Sequence, residues 1–182
     1  MKKLDKATLV LSKLVEIGHW IAMVAMVVVL VLSFIMGKGI FQNVSMADFG
    51  ASLTTYGFEI EVVDQTGQVS VAALRLFCVA AVLILGLMAM VFRNIYLILK
   101  KSENATPFQK DNVRMVREIG IFLIGVPVIG LVMSTLARLV MGPELVESSV
   151  GVGSFMVGLA VLCLSQFFAR GVELETETDG LL

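Results

Sequence analysis

The stretch IGHWIAMVAMVVVLVLSFIMG, Ile17 to Gly37, decides the class of this protein. It holds no Asp, Glu, Lys or Arg, and its only strongly polar members, His19 and Ser33, stand near its two ends. A run of roughly 20 predominantly apolar residues is the length that carries an α-helix across the hydrocarbon of a bilayer. Three more such runs follow. Leu76 to Phe92 lies between Arg75 and Arg93, Ile119 to Ala137 between Glu118 and Arg138, and Ser148 to Ala169 between Glu147 and Arg170. The chain of 182 residues is 58% hydrophobic, against about 45–50% in a soluble domain. The excess sits in these runs, so the spacing predicts an all-α membrane protein: a four-transmembrane-helix bundle forming one membrane domain, with spans near 17–37, 72–97, 119–138 and 148–169.

The flanks set an orientation. Lys2, Lys3, Lys6, Lys13, Arg93, Lys100, Lys101, Lys110, Arg114, Arg117 and Arg170 fall on one side of the predicted spans, and Lys38, Arg75 and Arg138 on the other. Lysine and arginine in short loops stay on the cytoplasmic side. The expectation is a bacterial cytoplasmic (inner) membrane protein with both termini inside, an outer loop at 38–71, an inner loop at 98–118 and a flexible acidic tail at 170–182. The basic residues near the N-terminus precede an apolar run without a small-residue cleavage site, which reads as a signal anchor.

The outer loop carries strand periodicity. Tyr56, Phe58, Ile60 and Val62 alternate with Gly57, Glu59, Glu61 and Val63. Asp64-Gln65-Thr66-Gly67 reads as a turn, with Gln68 to Val71 returning, so a small extracytoplasmic β-hairpin is expected between the first and second helices. It serves either as a cap on the helix ends or as an input element that senses a ligand.

The inner loop contains Thr106-Pro107-Phe108-Gln109, with threonine as N-cap, proline at the first helical position and glutamine three residues after the cap. A helix starting at Pro107 puts Lys110, Arg114 and Arg117 on one face, with Val113 and Val116 toward another. With Pro107 and Phe108, that face is a candidate docking surface for a cytoplasmic protein. A topology-setting basic face and anionic-lipid contact are the alternatives.

Inside the runs there is little chemistry. No charged residue falls in a predicted span core, which argues against a proton-coupled pump. Cys78 and Cys163 are far apart and lack an adjacent base, and His19 is the only histidine. No serine nucleophile motif, phosphate loop or paired catalytic carboxylate stands out. The expectation is a non-enzymatic chain without catalytic, cofactor-binding or metal-binding residues and without direct nucleic-acid contact. Pro127 predicts a kink in the third span. Gly130 with Ser134, and Ser154 with Gly158, are small residues four apart that suit close helix packing, inside the bundle or at a homo-oligomer seam.

The residues Thr106-Pro107-Phe108, Asn112-Val113 and Arg117-Glu118-Ile119-Gly120 resemble a bacterial membrane family catalogued as domain of unknown function 2975. The end of the fourth run, Phe167-Phe168-Ala169-Arg170-Gly171 with Leu174 and Asp179, is similar to that family's ending. Gly180-Leu181-Leu182 departs from it, since a Thr or Ser followed by a β-branched residue is expected there. The resemblance implies a four-span protein of no established activity, often encoded beside a small helix-turn-helix regulator. On that footing the chain reads as a sensor or sequestering partner of such a regulator. Alternatives are a small permease for an apolar or amphipathic compound, with a cavity lined by Ser134, Ser165 or Gln166, and a protective, immunity-type membrane protein.

Overall fold

In a computed structural model, residues 3–35, 52–63, 69–102, 109–142 and 152–179 are described. They form helix α1 (Lys3–Ile35), strands β1 (Ser52–Thr55) and β2 (Phe58–Glu61), and helices α2 (Val71–Lys101), α3 (Lys110–Met141) and α4 (Val152–Asp179). All four helices are long and apolar enough to cross a membrane. The hairpin lies between the first two, so the expected architecture is the one observed.

Each helix outruns the apolar stretch that announced it. The described part of α3 begins at Lys110, and the amide of Val113 donates to the carbonyl of Gln109 at 3.1 Å. Gln109 thus opens the first turn, where the sequence placed the start at Pro107. Thr106, Pro107 and Phe108 lie outside the described residues. The acidic segment corrects a second expectation, because α4 continues as helix through Glu173, Glu175 and Glu177 to Asp179. Val172 is buried there, and Thr176 Oγ1 donates to the Val172 carbonyl at 2.8 Å, holding the added turns on the helix. Pro127 stands inside α3 without ending it.

By internal packing the chain divides into two units. One comprises Met1–His19, Leu87–Gly125 and Gly153–Leu182, the other Trp20–Gly86 and Val126–Val152. They are called here the basic unit and the hairpin unit.

In the hairpin unit, β1 pairs antiparallel with β2 in the register Ser52↔Glu61 through Thr55↔Phe58. The turn is Tyr56-Gly57, with φ of 45° and 90°. Two consecutive positive φ values are the two-residue connection whose twist suits a hairpin. The sequence places Tyr56 within a strand, which this turn corrects, while the turn expected at Asp64–Gly67 lies outside the described residues and its return at Gln68–Val71 is met by the Val63↔Val69 bridge. The expected alternation is right from Phe58 onward, and Gly57 breaks it because a residue without Cβ takes the positive φ at little cost. A second antiparallel bridge, Val63↔Val69, brackets residues 64–68, which are outside the described set.

The strand's inner face is fully buried: Phe58, Ile60 and Val62 are 1%, 0% and 0% exposed. Phe58 stacks on Phe77 of α2 with ring centroids 6.3 Å apart. Ser70 fastens strand to helix. Its amide donates to the Val62 carbonyl at 2.7 Å, and its hydroxyl accepts from the amide of Ala73 at 3.4 Å as the N-cap of α2. Gly57→Val forces a β-branched residue into the left-handed region at about 1–2 kcal/mol. The expected outcome is faster limited proteolysis within residues 52–63 and unchanged helix content, and wild-type protease resistance would contradict this turn.

Candidate functional site

In the basic unit, polar side chains join α2 to α3. Asn94 is buried in α2, and its Nδ2 donates to Glu118 Oε2 of α3 at 3.0 Å. The other oxygen of Glu118 pairs with Arg114 Nε, one turn earlier, at 3.4 Å. Near the end of α2, Lys101 Nζ reaches Asp111 Oδ2 at 2.8 Å. These contacts join the last turns of α2 to the first turns of α3. In the first turns of α3 the buried side chains are Asn112, Met115 and Ile119, spaced to lie on one face. Val113 and Val116, the expected packing residues, are only half-buried.

The opposite face carries the predicted triad. Lys110, Arg114 and Arg117 are all exposed, and Arg114 remains 72% exposed despite its pairing with Glu118. An exposed pair of this kind contributes about 0–1 kcal/mol, so Arg114 is readily diverted to another anion. Pro107 and Phe108, the other expected docking residues, lie outside the described set.

Helix α1 uses an inward stripe at Ser12, Glu16, His19, Met23, Met26, Leu30 and Ser33, alternating steps of four and three. Glu16 is buried on it and accepts from Lys13 at 2.9 Å. His19 Nδ1 lies 2.8 Å from the Val15 carbonyl, its ring 5.3 Å from that of Phe92. The only histidine is thus held within its own helix turn and against an apolar ring. Cys78 is buried and Cys163 exposed, and both are free thiols. No group of three His, Cys, Asp or Glu able to hold a metal ion occurs among the described residues.

The small residues divide. An added Cβ at Gly158 would stand 2.7 Å from Ile124 Cγ1 and 3.0 Å from the Gly120 oxygen, and one at Gly120 would stand 2.7 Å from Leu162. Gly120 meets Leu162 while Ile124 meets Gly158, so α3 and α4 run antiparallel through this crossing. Gly130, expected at a helix contact, faces open space: an added Cβ would meet nothing within 4 Å. Ser134 and Ser165 are buried, and Ser165 Oγ donates to the Leu162 carbonyl at 2.7 Å; Ser154 is half-buried and Gln166 exposed.

In the hairpin unit, the sequence missed the strongest polar anchor. Arg75, counted only as a flanking charge, donates from Nη2 to the Ser33 carbonyl at 2.6 Å and from Nε to Ser33 Oγ at 3.2 Å. Its guanidinium lies 4.2 Å from the centre of the Phe34 ring. This one side chain ties the last turn of α1 to the first turns of α2. Tyr56, at the hairpin tip, is 44% exposed, and its partial burial raises the phenol above its ordinary value. It presents a neutral hydroxyl.

The family model described as protein of unknown function, DUF2975, matches residues 60–180. That stretch runs from the second strand through three helices and contains the Asn94–Glu118–Arg114 network, the basic triad and the glycine crossing. The chain belongs to the DUF2975 family. No curated protein and no solved structure matches it. This DUF2975 protein is therefore a multi-pass membrane protein, with polar side chains joining helices at the α2–α3 junction and at the Arg75 anchor.

Proposed function

We propose that this protein is a non-enzymatic inner-membrane partner of a small cytoplasmic helix-turn-helix regulator, which it holds at the bilayer and releases in response to an outer signal. The observation that carries the reading is the exposed row Lys110, Arg114 and Arg117 on the first turns of α3. It stands on a helix whose opposite face is anchored by Asn112, Met115 and Ile119. A rigid, exposed cationic row suits an acidic surface on a soluble partner. The family resemblance, with its frequent neighbouring regulator gene, supports the choice of partner. The excess of lysine and arginine in the flanks supports a cytoplasmic position for this row, for both termini and for the acidic end of α4.

A route for the signal lies along α2. Phe77 in its second turn stacks on Phe58 of the hairpin, and Lys101 at its end pairs with Asp111 beside the triad. One continuous helix thus touches the input element and the docking element.

The test is capture of the regulator encoded beside this gene by the full-length protein in lipid nanodiscs. Replacing Lys110, Arg114 and Arg117 together by alanine removes three surface charges, each worth about 0.2–1 kcal/mol. Binding should weaken by roughly tenfold or more, and wild-type binding should fall as salt is raised. Equal capture by the triple variant removes the docking assignment.

A further inference from the structure

A second basic feature of the basic unit points to a different ligand. Tyr96 of α2 has two ammonium groups over its ring: Lys13 Nζ from α1 lies 4.9 Å from the centroid, and Lys100 Nζ from α2 itself 5.8 Å. Two cations drawn to one aromatic ring repel each other and gain only a modest amount from its π face. Glu16, held by Lys13 at 2.9 Å, offsets one of the two charges and leaves the cluster cationic. The acid near the adjacent Lys101 is already committed to it, since Asp111 pairs with Lys101. Lys100 is exposed, Lys13 has a side-chain exposure of 43%, and Tyr96 is half-buried. All three stand where apolar helices pass into basic flanks.

We propose that Lys13, Lys100 and Tyr96 form a headgroup site for an anionic phospholipid, the two ammonium groups binding the phosphate. Basic recesses between membrane helices recognise anionic headgroups in this way, and an interfacial aromatic ring sits at the same depth. The charge selects an anionic over a zwitterionic lipid. The surface of α1 beyond Lys13 suits the acyl chains, because Ile17, Trp20 and Val24 continue its face and are exposed. Trp20 is seven residues on, two helical turns or about 10 Å along the axis. The site is independent of regulator docking on α3, and the two assignments fail separately.

Trp20 is the only tryptophan in the chain, so it reports on this site without labelling. The full-length protein is reconstituted in vesicles of phosphatidylcholine containing phosphatidylglycerol, with bromine on the acyl chains of one lipid or the other at equal mole fraction. Brominated phosphatidylglycerol should quench Trp20 about twofold or more beyond brominated phosphatidylcholine. The excess should vanish in the K13Q/K100Q variant, persist in K13R/K100R and persist in K110Q/R117Q, which alters the docking row alone. Helix content by circular dichroism confirms that each variant is folded. Equal quenching by the two lipids in the wild-type protein, or an excess that survives in K13Q/K100Q, overturns the site. Loss of the excess in K110Q/R117Q also overturns it, since selectivity then belongs to general surface charge.

Discussion

Arg75→Ala should destabilise the folded protein by roughly 3 kcal/mol. The side chain makes two charge-assisted hydrogen bonds to Ser33, 42 residues away in sequence, and lies over the Phe34 ring. Hydrogen bonds to a charged group are worth about 1.5–3 kcal/mol, and a cation over an aromatic ring about 0.5–2. Ser33 is fully buried, so removing the guanidinium also leaves its hydroxyl and carbonyl with less compensation in an apolar setting. Arg75→Lys should recover a minor part, because an ammonium lacks the planar fork that reaches the carbonyl and hydroxyl together. Thermal unfolding in mild detergent, followed by loss of the monodisperse peak, checks the order wild type, lysine, alanine. If alanine melts with the wild type, the anchor does not hold α1 to α2.

Gly158→Leu should be the more disruptive change. The obstacle is largely backbone: an added Cβ lies 3.0 Å from both the Gly120 oxygen and the Ile124 nitrogen, besides 2.7 Å from Ile124 Cγ1. A flexible side chain swings away, whereas a helix backbone has to move as a body. Overpacking costs about 1–3 kcal/mol where side chains adjust. Here the cost should reach about 3 kcal/mol or more, because α3 and α4 must separate and lose the close contact on which membrane helices depend. The expected result is aggregation or failure to accumulate in the membrane. Gly130→Ala is the matched control, since a Cβ there meets nothing, and it should behave as wild type or slightly better. Similar behaviour of Gly158→Leu and Gly130→Ala would remove the crossing.

The contrast between these two glycines shows where sequence reading stopped. Both are small residues in apolar runs, and spacing alone marks both as packing sites. Which one is used depends on the faces that α3 and α4 each turn toward a neighbouring helix, and those are set by residues elsewhere in the chain. The spans themselves were legible because length and apolarity are local, and the membrane imposes a single threshold on both. The hairpin was legible in its second half, where Val63 pairs with Val69 of the expected return, but not in its first. Tyr56 favours a strand on its own, and the Tyr56-Gly57 turn becomes visible only when Ser52–Thr55 is found to be the partner strand. Arg75 gave no local signal beyond its charge, because Ser33 lies 42 residues away on the preceding helix. Among the docking residues, the shared face of Lys110, Arg114 and Arg117 followed from helical spacing. The anchoring face through Asn112 did not, since a buried asparagine looks like a surface residue in sequence. The acidic end was read as a tail from Glu173, Glu175 and Glu177, yet the buried Val172 keeps it on α4.

The regulator-tethering reading is tested most directly in living cells of the native host, with a photo-crosslinking amino acid placed at Arg117 and, as control, at Tyr56. Crosslinking at Arg117, but not at Tyr56, to the helix-turn-helix protein encoded beside the gene is the result expected of a cytoplasmic docking row on α3. Crosslinks from Arg117 to lipid or to membrane subunits alone, with the regulator present and abundant, would contradict it.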